Sequence, residues 1–366
     1  MNKYLLPLSI SAALLTGCGA SDNSSDSDRN DGVDATPYTS ISGVDGSTGY
    51  AYFDLDTGKT LELTDEQAAT NTEWDIAFYG TSVILNGGHS GSGDVKAYFT
   101  GNNADFRDDN GDAIKDKFVN ATPETELADF TAITSTDVPA DSEFDTDTFT
   151  TIFGSGFYTY NPVDHSISEN DAQQYLISNA DGSYLVRVTD LSNLDGQSVP
   201  GRSITEFTLG VKFKGSDDAG YSDEQLVTLA ECDGTAYLDL SAYAEVTESD
   251  AYDLAVQCSQ FEIHLGTDVL AHAHADEEAW SKATQYVGTQ YEHYYFSEDG
   301  AETIFKDKFK WYEYDLNEGN KIWSQYGVYL INTGNDTYKF QITSYYKLND
   351  DGSVTGRNMS FIYQTL

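Results

Sequence analysis

Two histidines of this 366-residue chain lie in loop segments where an imidazole could bind a metal ion. His89 lies in the glycine-rich segment 86–93 (NGGHSGSG), and His165 ends the turn-rich segment 161–165 (NPVDH). Imidazole is the most common metal ligand among protein side chains. Glycines let the backbone approach a neighbour or a ligand closely. Both histidines are therefore candidate ligands. The alternatives are a flexible hairpin tip for His89 and a solvent-facing turn for His165.

Two further histidines, His272 and His274, are two positions apart in the sequence. In a β-strand they would point to the same face, where two imidazoles could bind a transition metal. The alanines and acidic residues around them also suit a solvated loop. We keep both interpretations and name His272 and His274 as weaker candidates for a metal site.

The composition excludes several classes of function. Lys and Arg number 19 against 61 Asp and Glu, which gives a formal net charge of −42. Nucleic-acid binding depends on cationic side chains, and so does electrostatic attachment to anionic lipids, so we predict neither. The sequence has no nucleophilic-serine motif, no HExxH zinc-protease motif and no phosphate-binding loop. We therefore predict that the protein is not an enzyme.

The N-terminal residues have the pattern of an export signal. Lys3 precedes the apolar segment 5–15, which is too short to span a membrane, and Leu15-Thr16-Gly17-Cys18 follows. This tetrapeptide looks like a bacterial lipobox, so we predict a signal peptide at residues 1–18 and lipidation of Cys18. Residues 19–36 are rich in Ser, Asp and Asn and predict a disordered acidic tether. The remaining cysteines, Cys232 and Cys258, are an even pair in an exported chain and predict a disulfide.

An internal repeat organises the rest of the chain. Residues 157–160 (FYTY) match residues 311–314 (WYEY), and residues 175–177 (YLI) match residues 329–331 (YLI), at one constant spacing. Upstream, residues 51–55 are echoed at 236–240, and we match residues 74–78 (WDIAF) to 261–265 (FEIHL). Short strands separated by turns are typical of β-sandwiches.

We therefore predict an all-β protein of two tandem β-sandwich-like domains, at residues 37–222 and 231–366. An acidic segment near residues 215–224 would link them, and the one helix of any length is expected at residues 276–287. The second copy has no counterpart of the glycine loop, so the two copies are not expected to be functionally equivalent.

These blocks resemble the HmuY family of haem-binding lipoproteins. The resemblance is carried by a WD-I-A-F-like strand leading into an NGG-x-S-G loop, here residues 74–93. A W-Y-x-Y strand and a later hairpin follow, seen at 157–160 and 175–187 and again at 311–314 and 329–339. The lipobox and tether also fit the family. The resemblance implies a β-rich outer-membrane protein, on the periplasmic or the surface face, that passes haem to a TonB-dependent receptor.

The resemblance also implies how the haem iron would be held, between two axial side chains, His/His or Met/Met. One family ligand lies in the loop after the W-Y-x-Y strand, where this chain has His165. The other lies before that strand, but residues 121–155 contain no His or Met, so His89 is the substitute candidate. Beyond the signal peptide the only methionine is Met359, which excludes a Met pair. The alternative function is a non-catalytic surface adhesion or glycan-binding module without haem.

Overall fold

The computed structural model describes residues 38–192, 206–230, 234–274, 283–289, 292, 295–306 and 309–366. Of the sequence predictions, the signal peptide with Cys18, the tether and Cys232 lie outside these residues, as does the side chain of His274. Most of the helix predicted at residues 276–287 also lies outside them. No helix among the described residues is long and apolar enough to cross a membrane.

The chain is built almost entirely of short strands. In the first part of the chain they are β1 Thr39–Asp45, β2 Ala51–Asp54, β3 Lys59–Leu61, β4 Ile76–Tyr79, β5 Ser82–Leu85, β6 Lys96–Phe99, β7 Thr148–Thr150, β8 Tyr158–Tyr160, β9 Ile167–Glu169, β10 Gln174–Asn179, β11 Gly182–Ser192 and β12 Glu206–Lys214. In the second part they are β13 Gln225–Ala230, β14 Thr235–Asp239, β15 Ala244–Val246, β16 Leu254–Gln257, β17 Glu262–Leu265, β18 Leu270–His274, β19 Gly300–Glu302, β20 Tyr312–Tyr314, β21 Ile322–Ser324, β22 Val328–Asn332, β23 Thr337–Ser344, β24 Lys347–Leu348, β25 Val354–Thr355 and β26 Asn358–Thr365.

Three short α-helices lie wholly within the described residues: α1 Asp65–Ala68, α2 Lys115–Asn120 and α3 Leu127–Ala132. The single turn of α1 is stabilised by a capping box, in which Thr64 Oγ1 accepts from Gln67 N and Gln67 Oε1 accepts from Thr64 N. The all-β fold class predicted from the sequence is confirmed.

The strands form two β-sandwiches, which we call the outer and the inner sandwich. The outer sandwich packs the sheet β3-β2-β4-β5 against the sheet β1-β26-β23-β22-β6. Its core is largely aromatic, as in Phe53, Phe78, Phe340 and Phe361, whose rings lie about 5 to 6 Å apart. All these strands come from residues 39–99 and 328–365, so both ends of the described chain build this sandwich.

The inner sandwich has the same construction within one continuous stretch, residues 152–299. It packs the sheet β15-β14-β16-β17 against the sheet β13-β12-β11-β10-β18. On β10, Tyr175 and Ile177 point into the core, while Leu176 points to the other face and packs against Phe296. This period-two alternation is what a strand covered on both faces requires.

The strands of the two proposed repeats are exchanged between the sandwiches. Strand β6 from the first repeat pairs with β22 from the second, and β18 from the second repeat pairs with β10 from the first. The segment 215–224, predicted as a linker, joins β12 and β13, which are neighbours in one sheet. The division into residues 37–222 and 231–366 therefore does not follow the packing, because each range contributes strands to both sandwiches.

Matching strand orders identify the counterparts in the two sandwiches. The order β3-β2-β4-β5 corresponds to β15-β14-β16-β17, so β4 corresponds to β16. Asp75 Oδ2 accepts from Leu55 N at 2.8 Å, and Asp253 Oδ2 accepts from Leu240 N at 2.7 Å. The counterpart of residues 74–78 is therefore residues 252–256 (YDLAV). The sequence match to residues 261–265 was wrong, because the similar apolar residues there belong to the next strand, β17.

Two short strands mark the crossings between the sandwiches. Strands β7 and β19 pair antiparallel, with Phe149 opposite Ala301. Beside them, Asp299 Oδ1 accepts from Ile152 N at 2.7 Å, so the two ends of the inner sandwich are bound to each other. The chain thus enters and leaves the inner sandwich at one place.

Candidate functional site

The glycine-rich loop 86–93 is packed tightly onto its own neighbours. Asn86 is fully buried, its Nδ2 donates to Trp74 O at 2.7 Å, and its Oδ1 accepts from Gly93 N at 3.0 Å. A Cβ on Gly88 would lie 2.0 Å from Asp147 O, and one on Gly91 would lie 2.2 Å from Asn86 Oδ1. The glycines are therefore required by close backbone and side-chain contact within the fold.

His89 lies exposed at the surface of this loop. Its N–H donates to Asp147 O at 2.8 Å, and its ring centroid is 4.8 Å from that of Phe149. The imidazole lines a cavity of about 270 Å³ together with Tyr50 and Tyr52. The backbone of His89 is thus held in place, while its ring is at the protein surface.

Asp147 fixes the strand that leads into the loop. Its side chain is buried, and Oδ2 accepts from Leu85 N at 2.8 Å. Burial raises the pKa of Asp147 to about 7, because the charged form is desolvated. In the inner sandwich Asp299 Oδ2 accepts from Leu265 N at 2.7 Å in the same way. Sequence reasoning missed both aspartates, which carry no local signal beyond their acidic neighbours.

His165 occupies the tip of the hairpin formed by β8 and β9, in a strained backbone conformation. Its φ is +60°, in the left-handed region that few side chains tolerate. Nδ1 lies 2.5 Å from Tyr160 Oη, and the side chain is exposed. If Nδ1 carries the proton and donates a hydrogen bond to Oη, the unprotonated Nε2 is the nitrogen that can bind a metal ion.

The outer sandwich has a matching hairpin, formed by β20 and β21. Asn320 takes the place of His165 with φ of +55°, and Tyr314 Oη donates to Asn320 Oδ1 at 2.7 Å. Asparagine is among the residues that best tolerate this conformation. Both hairpins place a residue of positive φ two positions before the second strand and beside a tyrosine, although the loop 315–321 is one residue longer than the loop 161–166. The imidazole of His165 is therefore an added chemical feature rather than a need of the positive φ.

His272 and His274 lie on β18, at the edge of the inner five-stranded sheet. They pair with Leu176 and Gln174 of β10. His272 is half-buried, with its ring centroid 6.3 Å from that of Phe296. Within the part of the chain that the structure describes, no three His, Cys, Asp or Glu residues are grouped to hold a metal ion.

The two predicted haem ligands lie in different sandwiches. His89 belongs to the outer sandwich and His165 to the inner one, and none of the hydrogen bonds or ring contacts of the described residues joins them. His264, which sequence reasoning did not select, stacks on Phe149 at 5.0 Å and so shares that ring with His89. Aligning residues 252–256 with the first repeat would have placed His264 on the strand that follows.

Cys258 is fully buried in the inner core. Cys232, its predicted partner, lies outside the described residues, so the disulfide remains a prediction.

The HmuY family model, described as HmuY protein, matches residues 47–202. Over this region the chain belongs to the HmuY family. The HmuY family is a haem-binding family. No curated protein matches the chain. The matched region runs from the outer sandwich into the inner one and contains both His89 and His165. The second copy, at residues 231–366, is not matched and stays a prediction.

Proposed function

We propose that the protein binds haem, with His165 as one axial ligand of the iron. The observation that carries this proposal is the Tyr160–His165 pair at a hairpin tip inside the HmuY family region. A hydrogen-bond partner on the second ring nitrogen is the usual way in which proteins orient a metal-binding histidine. Haem would supply the iron, and His165 would fix it from one side.

For the second axial ligand there are two candidates, His89 and His272. His89 is the sequence candidate, and its ring is exposed on Phe149 of the outer sandwich. His272 lies in the same sandwich as His165, on a strand paired to β10. We keep both candidates, because membership of the same sandwich does not by itself bring His272 close to His165. The outer hairpin carries Asn320 in place of a histidine, so we expect one haem per chain.

The rest of the proposed function concerns location and transfer. Lipidation of Cys18 would anchor the chain in the outer membrane, its only contact with the membrane, and residues 19–36 would serve as the tether. The protein would take part in iron acquisition without catalysis and pass haem to a TonB-dependent receptor. A net charge of −42 repels the haem propionates, so ligation and apolar contact must supply the affinity.

A haemin titration of residues 19–366 tests the proposal. The decisive variant is His165→Asn, because asparagine tolerates a positive φ, as at Asn320, and its side-chain oxygen can accept from a tyrosine hydroxyl. We expect a saturable low-spin Soret band for the wild type and its loss in His165→Asn. Tyr160→Phe should keep the ligand and weaken haem binding about 10- to 100-fold, the usual effect of removing such a partner.

His89→Ala and His272→Ala, measured beside them, identify the second ligand. Loss of the low-spin spectrum in only one of the two assigns the ligand to that residue. A wild-type spectrum in His165→Asn would contradict our assignment of the first ligand. If haemin produces no spectral change with the wild type, the fold serves surface adhesion or glycan binding instead.

A further inference from the structure

A groove in the outer sandwich has no role in the function proposed above. It lies between the β20–β21 hairpin, the end of β23, the β24–β25 hairpin and helix α2, and it has a volume of about 480 Å³. This is the size of a small-molecule site. The aromatic side chains that line it are Phe118, Trp323, Tyr326, Tyr345 and Tyr346.

Hydrogen bonds and ring contacts hold the walls of this aromatic groove in place. Tyr346 Oη accepts from Ile322 N at 3.0 Å, which ties the segment before β24 to β21. The rings of Tyr345 and Tyr346 meet edge to face, 5.1 Å apart. On the opposite side Tyr326 packs with Phe118 in one apolar cluster. Such preformed aromatic surfaces suit a flat, apolar ligand.

The charge in the groove is opposite to that of the whole chain. Lys321 is the one charged side chain among the described residues that line it, and no carboxylate lines it. The Lys321 ammonium lies 5.8 Å from the ring centroid of Trp323. In a chain with 61 Asp and Glu, a groove with a single cation and no anion favours an anionic ligand.

Trp323 adds a hydrogen-bond donor without an acceptor. Its Nε1 is buried and makes no hydrogen bond to any described residue. A buried donor of this kind is costly unless a partner is supplied, and indole N–H groups usually have one. Solvent does not reach Nε1 in this structure, so an oxygen of a ligand would act as that acceptor after the Trp323 ring turns toward the groove. The hairpin tip beside it carries Asn320 and no imidazole, so the groove offers no histidine to a metal centre.

We propose that this groove binds a flat aromatic carboxylate, with its rings between the tyrosine and tryptophan side chains. The carboxylate would accept from Trp323 Nε1 and pair with the Lys321 ammonium. The argument uses neither His165 nor haem, so this site and the haem site can succeed or fail separately.

Isothermal titration of the purified protein with 2-naphthoate tests the site, and 2-naphthamide serves as the neutral analogue. We expect 2-naphthoate to bind with a Kd of about 0.1 mM, a typical affinity for a ligand of this size. Lys321→Met and Trp323→Phe should each weaken binding roughly tenfold, the effect of one charge-assisted contact. The amide should bind about tenfold more weakly than the carboxylate for the same reason.

Two matched variants separate the site from general effects. Lys59→Met removes an exposed lysine of β3, outside the groove, and should leave 2-naphthoate binding unchanged. His165→Asn should also bind 2-naphthoate normally, whatever it does to haem. The proposal is overturned if 2-naphthoate does not bind the wild type, if the amide binds equally well, or if Lys59→Met weakens binding as much as Lys321→Met does.

Discussion

At the scale of single residues, the polar groups that organise this protein are buried aspartates. Asp75 and Asp147 each accept a backbone N–H of a neighbouring strand end, and Asp253 and Asp299 do the same in the inner sandwich. The pKa of Asp75 and that of Asp147 are both raised to about 7 by burial. These groups therefore bind protons more strongly in the folded than in the unfolded state.

This proton binding predicts how stability depends on pH. An aspartate titrates near 3.9 in the unfolded chain and near 7 when it is Asp147 in the fold, so the folded state binds more protons between these values. The contribution of Asp147 to stability then falls as the pH rises from about 4 to 7. Asp147→Asn keeps an oxygen acceptor for Leu85 N but cannot ionise. We expect it to reduce the loss of unfolding free energy over this range by at least about 1 kcal/mol.

Urea unfolding at a series of pH values measures this difference. Asp109→Asn, at an exposed position in a loop, is the control and should keep the wild-type pH dependence. Equal slopes for Asp147→Asn and the wild type would show that Asp147 does not bind a proton in this range.

At the scale of elements, the glycine loop and the two hairpin tips show why similar sequence signals have different causes. The glycines of residues 86–93 are required by contact with Asn86, Trp74 and Asp147. The hairpin tips at His165 and Asn320 require a positive φ. The side chains of His89 and His165 are both exposed, and His165 is the stronger ligand candidate because Tyr160 Oη lies beside its Nδ1.

Gly91→Ala tests the packing of the loop. Its Cβ would lie 2.2 Å from Asn86 Oδ1 and 2.9 Å from Trp74 Cζ2, both parts of buried side chains. We expect the unfolding free energy to fall by about 1–3 kcal/mol, as in other overpacked sites. Gly49→Ala is the matched control, since a Cβ there meets no atom within 4 Å, and it should stay within about 0.5 kcal/mol of the wild type. Equal stability of the two variants would mean that Asn86 and Trp74 can move to make room for the added methyl group.

At the scale of the whole molecule, the main feature is that the sequence of the inner sandwich is inserted into the sequence of the outer one. Residues 152–299 form the inner sandwich, and residues on both sides of them complete the outer one. The exchange of β6 and β18 between the sheets gives each sandwich strands from both proposed repeats. The equal strand orders of the two sandwiches support the duplication that the sequence predicts.

This insertion predicts which fragment of the chain folds alone. Residues 152–299 contain a complete core, and their ends meet where Asp299 accepts from Ile152 N. We expect this fragment to unfold cooperatively in urea. The fragment 37–222 should not, because it lacks β22, the partner of β6, and β18, one of the two partners of β10. Circular dichroism with urea measures both. Cooperative unfolding of residues 37–222 would instead favour two sequential domains.

The sequence by itself determined the β class, the repeated strand blocks and the relation to the HmuY family. Those conclusions rest on local alternation, turns and motif order, which a single chain displays directly. It also singled out His165, because a histidine in a turn is visible without any knowledge of packing. The counterpart of residues 74–78 was misplaced, since neighbouring strands such as β16 and β17 carry similar apolar patterns.

Only the tertiary structure decided which half of each repeat packs with which. Strands β6 (KAYF) and β18 (LAHAH) are short edge strands, and nothing in the local sequence of either specifies β22 or β10 as its partner. The choice is made by pairings between distant residues and by the crossing at β7 and β19, where the chain enters and leaves the inner sandwich. For the same reason His89 and His165 belong to different sandwiches, although both lie in the first proposed repeat.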